Sequence, residues 1–406
     1  MSKTLVVLTI DYPDPLLDKE LPYLAAAFDK VYVLYAIETS NRELAFKNIK
    51  PVKLFQNPDF PKTFRLVLKH FRFVVSVYLY TIIRKGNLSF YLKHYKSFIG
   101  YLLIEAERIQ PLLRYISENK LNDAIFYDYW LVDSTLALIA LKKRGVIKKA
   151  ISRTHGFDLY DDRQFESRVP FLEYRVAHLD KIFTISRHGY DYLKNRVSPS
   201  LSGNIELSYL GVTTNFAKDP DKRVLGEYLV VSCSSMIPVK RIDKIIDSLR
   251  ETTLNIRWVH FGDGPLRKSL EQAALTLPPN IQTSFYGHIT NSQVLEFYGS
   301  NYVDLFISLS ESEGLPVSMM EAISFGIPIL ATAVNGIPEI VTEKTGVLVN
   351  ISVDEIEVCQ ALHHILSNGN LDRNEIRNFF RSNFDAKKNY ESFAEKLNQL
   401  QLGSGA

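Results

Sequence analysis

The sequence predicts an α/β protein of two doubly wound, Rossmann-like domains, on three observations. Short apolar, β-branched runs alternate with longer amphipathic stretches along the whole chain, the pattern of a parallel sheet wrapped by helices. The 406 residues exceed one ordinary core and divide naturally into two domains of roughly 200. A polar stretch at 213–222, broken by Pro220, separates one set of strand candidates from another.

In the first half, strands are expected at 5–10, 31–34, 124–127, 150–153, 182–185 and 205–210. The second half offers 229–232, 256–261, 284–286, 305–307, 329–331 and 347–349. The expected domains are residues 1–215 and 216–385, with a last helix at 386–402. Doubly wound domains bind ligands at the carboxyl ends of their strands, so two of them facing each other would hold substrates in the cleft between. No internal repeat or low-complexity tract interrupts the pattern.

Composition narrows the function classes. Apolar content of 46% and charge of 23% are ordinary for a soluble chain. A net charge of +3 argues against nucleic acid as the partner. Cys233 and Cys359 are the only cysteines, too few for a disulfide framework or a zinc-ligand set. The first strand starts almost at the first residue, with no leader pattern before it, so a cytoplasmic location is expected. The chain carries no G-x-x-x-x-G-K-[ST], H-E-x-x-H or G-x-S-x-G motif. Asp219-Pro-Asp221 has metal-binding spacing but sits in the presumed linker, so neither a metal nor another cofactor is expected.

The most informative segment is Glu311-Ser-Glu-Gly-Leu-Pro-Val-Ser-Met-Met-Glu-Ala322, which continues through Phe325-Gly-Ile-Pro328 to Gly336-Ile-Pro-Glu339. It sets Glu313 and Glu321 eight positions apart across a Gly-Leu-Pro turn into a helix. An acid just before a helix N-terminus and another two turns on can flank a ligand whose phosphates rest on the first free N–H groups. That arrangement suits a nucleotide sugar. Glu311 is read as exposed and without a role.

This segment resembles the E-x7-E signature of retaining glycosyltransferases of family 4, which have the two-domain GT-B fold. The resemblance implies that Glu313 faces the donor sugar, that the backbone of Gly314, Leu315, Pro316 and Val317 touches sugar and diphosphate, and that Glu321 binds the ribose. Val230 to Asp243 resembles the family's strand-loop-helix ending in Lys, here Lys240, beside the leaving diphosphate. The companion Arg of that pattern falls on Ser235. A Ser carries no charge, so Arg241 or backbone amides are expected to take its place.

Phe261-Gly-Asp-Gly-Pro-Leu266 resembles the family's G-x-G-P turn near the donor, with Gly262 at its start, and Tyr286-Gly-His-Ile289 makes His288 a base-contact candidate. In the first half, Arg153-Thr-His-Gly-Phe-Asp158 resembles the R-x-H-G-x-D segment, which implies that His155 lies near the reaction centre. Asp158 and Ser186 are candidates for lining the acceptor side. The first loop, 11–20, lacks the glycines of many relatives, so its backbone is not expected to approach the diphosphate.

Residues 60–104 contain eight Lys or Arg, no Asp or Glu, and many Phe and Tyr. The apolar centre at 73–83 is too short to cross a bilayer, and two readings stay open: a segment docked on anionic lipid, or core helices with basic outer faces.

The expectation is a retaining transferase that moves a sugar from a nucleotide diphosphate donor, UDP-sugars being mildly preferred, to a glycan or lipid-linked glycan hydroxyl in surface polysaccharide synthesis. Its place would be cytoplasmic, with a peripheral contact to the inner face of the membrane. The alternatives are a catalytically degenerate GT-B subunit and a nucleotide-sugar epimerase or phosphorylase.

Overall fold

The structure is a computed structural model that describes residues 3–40, 46–55, 70–85, 88–214, 220, 224–368 and 371–402. Most of the expected linker, including Asp219 and Asp221, and the basic residues Lys62, Arg65 and Lys69 lie outside the described residues. The chain forms two compact units, Met1–Tyr209 with Lys387–Ala406, and Leu210–Ala386.

In chain order the strands of the first unit are β1 (Thr4–Leu8), β2 (Asp11–Tyr12), β3 (Lys30–Tyr35), β4 (Ile37–Glu38), β5 (Ile49–Lys53), β6 (Ile125–Asp128), β7 (Lys149–Thr154), β8 (Lys181–Thr184) and β9 (Ile205–Leu207). Those of the second are β10 (Tyr228–Cys233), β11 (Ile256–Phe261), β12 (Ile281–Gly287), β13 (Leu305–Ser308), β14 (Ile329–Thr332) and β15 (Gly346–Val349).

The first unit holds a seven-stranded sheet of order β5-β3-β1-β6-β7-β8-β9, parallel throughout, with β2 and β4 forming a small pair of their own. Leu5, Val6, Val7 and Leu8 of β1 are fully buried, as expected for a central parallel strand covered on both faces. One face packs on the helices Phe71–Lys85, Tyr95–Asn119 and Thr135–Lys143. The other packs on Leu17–Ala27 and on the C-terminal helix Ala386–Leu402, whose Phe393 lies against Tyr127 and Phe183.

β5 was not expected, because Ile49-Lys-Pro-Val-Lys53 contains Pro51. Among the described residues it is an edge strand paired only with β3, where a residue without an N–H is tolerated. β12 is longer than expected, since its first half, Ile281-Gln-Thr-Ser284, is polar and half-exposed at the other unit's edge.

The second unit has the order β12-β11-β10-β13-β14-β15, again all parallel. In each unit the order reverses beside the first strand, between β10 and β13 in the second and between β1 and β6 in the first. The carboxyl ends of those strand pairs are where a doubly wound sheet leaves a crevice for ligand.

Within 71–101, Phe73, Val74, Val77, Tyr91 and Phe98 enter the core. Phe71, Leu79, Leu92 and Tyr95 stay exposed. No helix among the described residues is long and apolar enough to cross a membrane.

Candidate functional site

The second unit's site is assembled from the two chain segments that leave β10 and β13. After Cys233 the chain runs across the end of β11, with Ser234 N–H donating to Phe261 C=O and Met236 N–H to Asp263 C=O. Gly262 and Gly264 make this approach possible. A Cβ on Gly262, where φ is +138°, would lie 1.9 Å from Ser234 O, and one on Gly264 would lie 2.6 Å from Met236 O. The glycines of the G-x-G-P turn therefore serve backbone-to-backbone packing.

Below this loop lies a directed chain of hydrogen bonds. His260 Nε2 is 3.1 Å from Ser234 O, and a carbonyl only accepts, so Nε2 carries the proton. Nδ1 then accepts from Ser232 Oγ at 2.8 Å, and Ser232 Oγ accepts from Trp258 Nε1 at 2.9 Å. Burial of the imidazole pushes its pKa down to about 4, against the opposing effect of the Ser234 bond. His260 is thus neutral and fixes the carbonyl from which the 234–241 loop departs.

The loop closes in a 3-10 turn at Pro238–Lys240, followed by Arg241 in the left-handed region at φ 48° and the helix Ile242–Arg250. Glu311 N–H donates to Val239 C=O, which ties this turn to the segment after β13. Thr332 Oγ1 donates to Ser310 C=O at 2.6 Å, and Asn335 Nδ2 to Ser312 Oγ at 3.0 Å. With both neighbours held, Glu313 Oε1 meets Lys240 Nζ at 2.5 Å, and the side chains are 12% and 20% exposed.

Gly314, Leu315 and Pro316 then turn the chain into the helix Val317–Ser324. Pro316, its N-cap, offers no side-chain acceptor, and the first N–H groups of a helix have no partner within it. Two turns from Glu313, Glu321 is 3% exposed and accepts from Asn291 Nδ2 at 2.8 Å. Asn291 opens the helix Asn291–Ser300 behind a capping box of Thr290 and Gln293. The Thr290-Asn-Ser-Gln293 spacing signals that cap in the sequence, but nothing local says that Asn291 reaches Glu321.

The remaining donor-side candidates are scattered. Ser235 is exposed on the loop, and Arg241 sends Nη1 to Ile351 C=O at 2.9 Å. His288 is exposed just beyond Gly287. Among the described residues no group of three His, Cys, Asp or Glu is arranged to hold a metal ion.

In the first unit, His155 follows β7 and is 4% exposed. Asp158 receives the N–H of His155 on Oδ1 and that of Leu131 on Oδ2, both at 2.7 Å. Its carboxylate is spent on joining the ends of β6 and β7 and does not face open space. Ser186 is fully buried and caps the helix Arg187–Arg196 by accepting from Gly189 N–H at 3.0 Å.

The second unit bears a family likeness. Residues 215–382 match the family model described as glycosyl transferases group 1. Solved structures align over almost the whole length: sucrose-phosphate synthase from Thermosynechococcus elongatus at TM-score 0.75 and 15% identity, covering 99% of this chain and 100% of that one. Anabaena HepE in complex with UDP and glucose aligns at TM-score 0.67 and 14% identity, covering 98% and 99%. The fold is GT-B.

Among curated relatives, the N-acetyl-alpha-D-glucosaminyl L-malate synthase of Bacillus anthracis is 22% identical over 268 residues, 64% of this chain and 69% of the relative. Another curated relative is matched over as little as 22% of its length. The family match and these relatives support a GT-B glycosyltransferase whose matched part is the unit that carries Lys240, Glu313 and Glu321.

Proposed function

We propose that the protein is a retaining glycosyltransferase of the E-x7-E kind, which uses a nucleotide diphosphate sugar and needs no metal. The observation that carries this reading is the Lys240–Glu313 pair at the carboxyl ends of β10 and β13, with buried Glu321 two helical turns beyond. A paired, partly desolvated ammonium keeps two of its three donors for phosphate oxygens, and it offsets the charge that grows as the glycosidic bond breaks. The free N–H groups at the start of Val317–Ser324 supply the second anion-binding element.

In this scheme Glu313 orients the donor sugar, Glu321 with Asn291 holds the ribose hydroxyls, and Lys240 steadies the leaving diphosphate. The bond from the anomeric carbon to the diphosphate oxygen breaks, and the acceptor hydroxyl oxygen bonds to that carbon on the same face. The acceptor's proton passes to the departing phosphate oxygen.

The acceptor is a hydroxyl of a glycan or lipid-linked glycan in polysaccharide or glycolipid synthesis, and UDP-sugars are the preferred donors, a preference supported by the UDP complex of HepE. We place the enzyme at the cytoplasmic face of a membrane. Exposed Phe71, Leu79, Leu92 and Tyr95 stand among exposed Arg72, Lys93 and Lys96, a mixture suited to an anionic lipid surface.

Thermal stabilisation by UDP, GDP, ADP and CMP tests the donor site, on wild type and on Glu321→Ala. A selective shift with one nucleotide, lost in Glu321→Ala, is expected, because a ligand that binds only the folded state raises its stability. No shift with any of the four would remove the reading.

A further inference from the structure

The crevice of the first unit, at the carboxyl ends of β1, β6 and β7, contains an aromatic arrangement that the donor chemistry does not use. Trp130 follows β6 and is half-buried, with its indole ring centred 4.2 Å from the His155 ring. Tyr129 approaches the same imidazole at 4.7 Å and meets Trp130 edge-on. Trp130 Nε1 donates to Asp14 Oδ2 at 3.1 Å, across 116 residues of chain.

Asp14 is itself 6% exposed and anchored, since its Oδ1 accepts the N–H groups of Leu16 at 2.8 Å and Leu17 at 3.0 Å. The glycine-free first loop thus contributes a carboxylate that caps the helix Leu17–Ala27 and clamps the indole in one orientation. Because the indole N–H is donated to Asp14, what the half-buried Trp130 side chain has left to offer a ligand is its hydrocarbon ring.

Polar groups without hydrogen-bond partners among the described residues lie at the same strand ends. Among the described residues neither ring nitrogen of His155 has a hydrogen-bond partner. Asp158 Oδ2 lies 4.0 Å from His155 Nδ1, too far for a hydrogen bond. Thr9 Oγ1, one residue past the end of β1, where Leu8 pairs with Asp128, is also buried without a partner among the described residues. Buried polar groups are normally satisfied, so such a cluster in a ligand crevice calls for a partner from outside.

We infer that Trp130 is a sugar platform, clamped by Asp14, on which the apolar face of one acceptor sugar ring stacks while His155 meets a hydroxyl of the same ring. A pyranose has one face of C–H groups and a rim of hydroxyls, which matches an apolar ring beside unpaired hydrogen-bonding atoms. Asp14 is a positioning residue: it acts through the indole and touches no substrate. The inference rests on the glycosyltransferase reading and adds to it the acceptor sugar's contact surface.

The test is a fluorescence titration of the full chain with methyl α-glucoside, methyl α-galactoside, methyl α-mannoside and methyl α-N-acetylglucosaminide, beside nucleotide binding on the same samples. The chain has two tryptophans, and Trp258 is buried in the second unit. At least one glycoside is expected to change the emission saturably in wild type, with no change in Trp130→Phe. Asp14→Ala, checked for folding by its thermal melt, is expected to weaken that glycoside about tenfold at unchanged nucleotide affinity, as does Trp130→Ala in the acceptor KM. If no glycoside moves the emission, or if Trp130→Phe responds like wild type, the platform is overturned whatever the nucleotides do. Loss of nucleotide binding alone would strike the donor reading and leave the platform standing.

Discussion

Protonation of His260 should unlock the 234–241 loop of the second unit, and the size of the effect follows from burial. The imidazole is held neutral with a pKa of about 4, against 6.5 for an ordinary histidine. Between those values the unfolded chain binds a proton that the folded unit refuses, so stability rises with pH and is lost as pH falls. The full penalty is roughly 3.4 kcal/mol, and about 2 kcal/mol of it is felt on moving from pH 7.5 to pH 5.

The perturbation is His260→Gln, whose amide N–H can still reach Ser234 C=O and which does not titrate. Urea unfolding followed by Trp258 emission in a Trp130→Phe background reads the second unit alone, because Trp258 donates directly into the His260 chain. The parent should lose about 2 kcal/mol more than the Gln variant between pH 7.5 and pH 5. Parallel pH profiles for the two proteins would refute the neutral, buried imidazole and with it the assigned direction of the Trp258–Ser232–His260–Ser234 chain.

Other outcomes follow from the same geometry. Asn291→Ala should weaken nucleotide binding roughly tenfold by calorimetry, the scale of a hydrogen bond to a charged group, and unchanged affinity would separate Glu321 from the ribose. Gly262→Ala places a Cβ 1.9 Å from Ser234 O at φ +138°, so it should destabilise the second unit by about 2 to 4 kcal/mol in the same urea assay. Lys240→Met should slow transfer at least a hundredfold while the protein stays folded by circular dichroism, an effect expected of a group that meets developing charge. Arg175→Met leaves buried Glu105, 2.7 Å from the guanidinium, without its cation, and should cost the first unit about 3 to 5 kcal/mol, measured by urea unfolding followed by Trp130 emission in a Trp258→Phe background.

Strongly apolar elements could be read directly from the sequence. β1, β6, β10, β13 and β14 are short apolar runs buried on both sides, and a central parallel strand has no other way to look. Edge elements were harder. β5 hides behind Pro51 and the first half of β12 behind polar residues, because an edge strand is half solvated and need not be apolar.

The candidate site was legible where its residues are neighbours in sequence. Glu313, the turn at 314–316 and Glu321 share one strand-turn-helix segment, so spacing alone places them. Partners from distant segments were not legible: Asn291 for Glu321, Asn335 for Ser312, Asp14 for Trp130. The roles of Asp158 and Ser186 also changed once their backbone partners were visible, from lining residues to a brace and a helix cap.

By itself the sequence determined the alternation of strand and helix, the two-unit division and the motif segment, because periodicity and local spacing are properties of contiguous chain. Only the tertiary structure decided which side chains meet across the sheet's carboxyl edge. There, parallel order brings β10 beside β13 and β1 beside β6, and a contact such as Lys240 to Glu313 depends on strands that are far apart in the chain and adjacent only in the sheet.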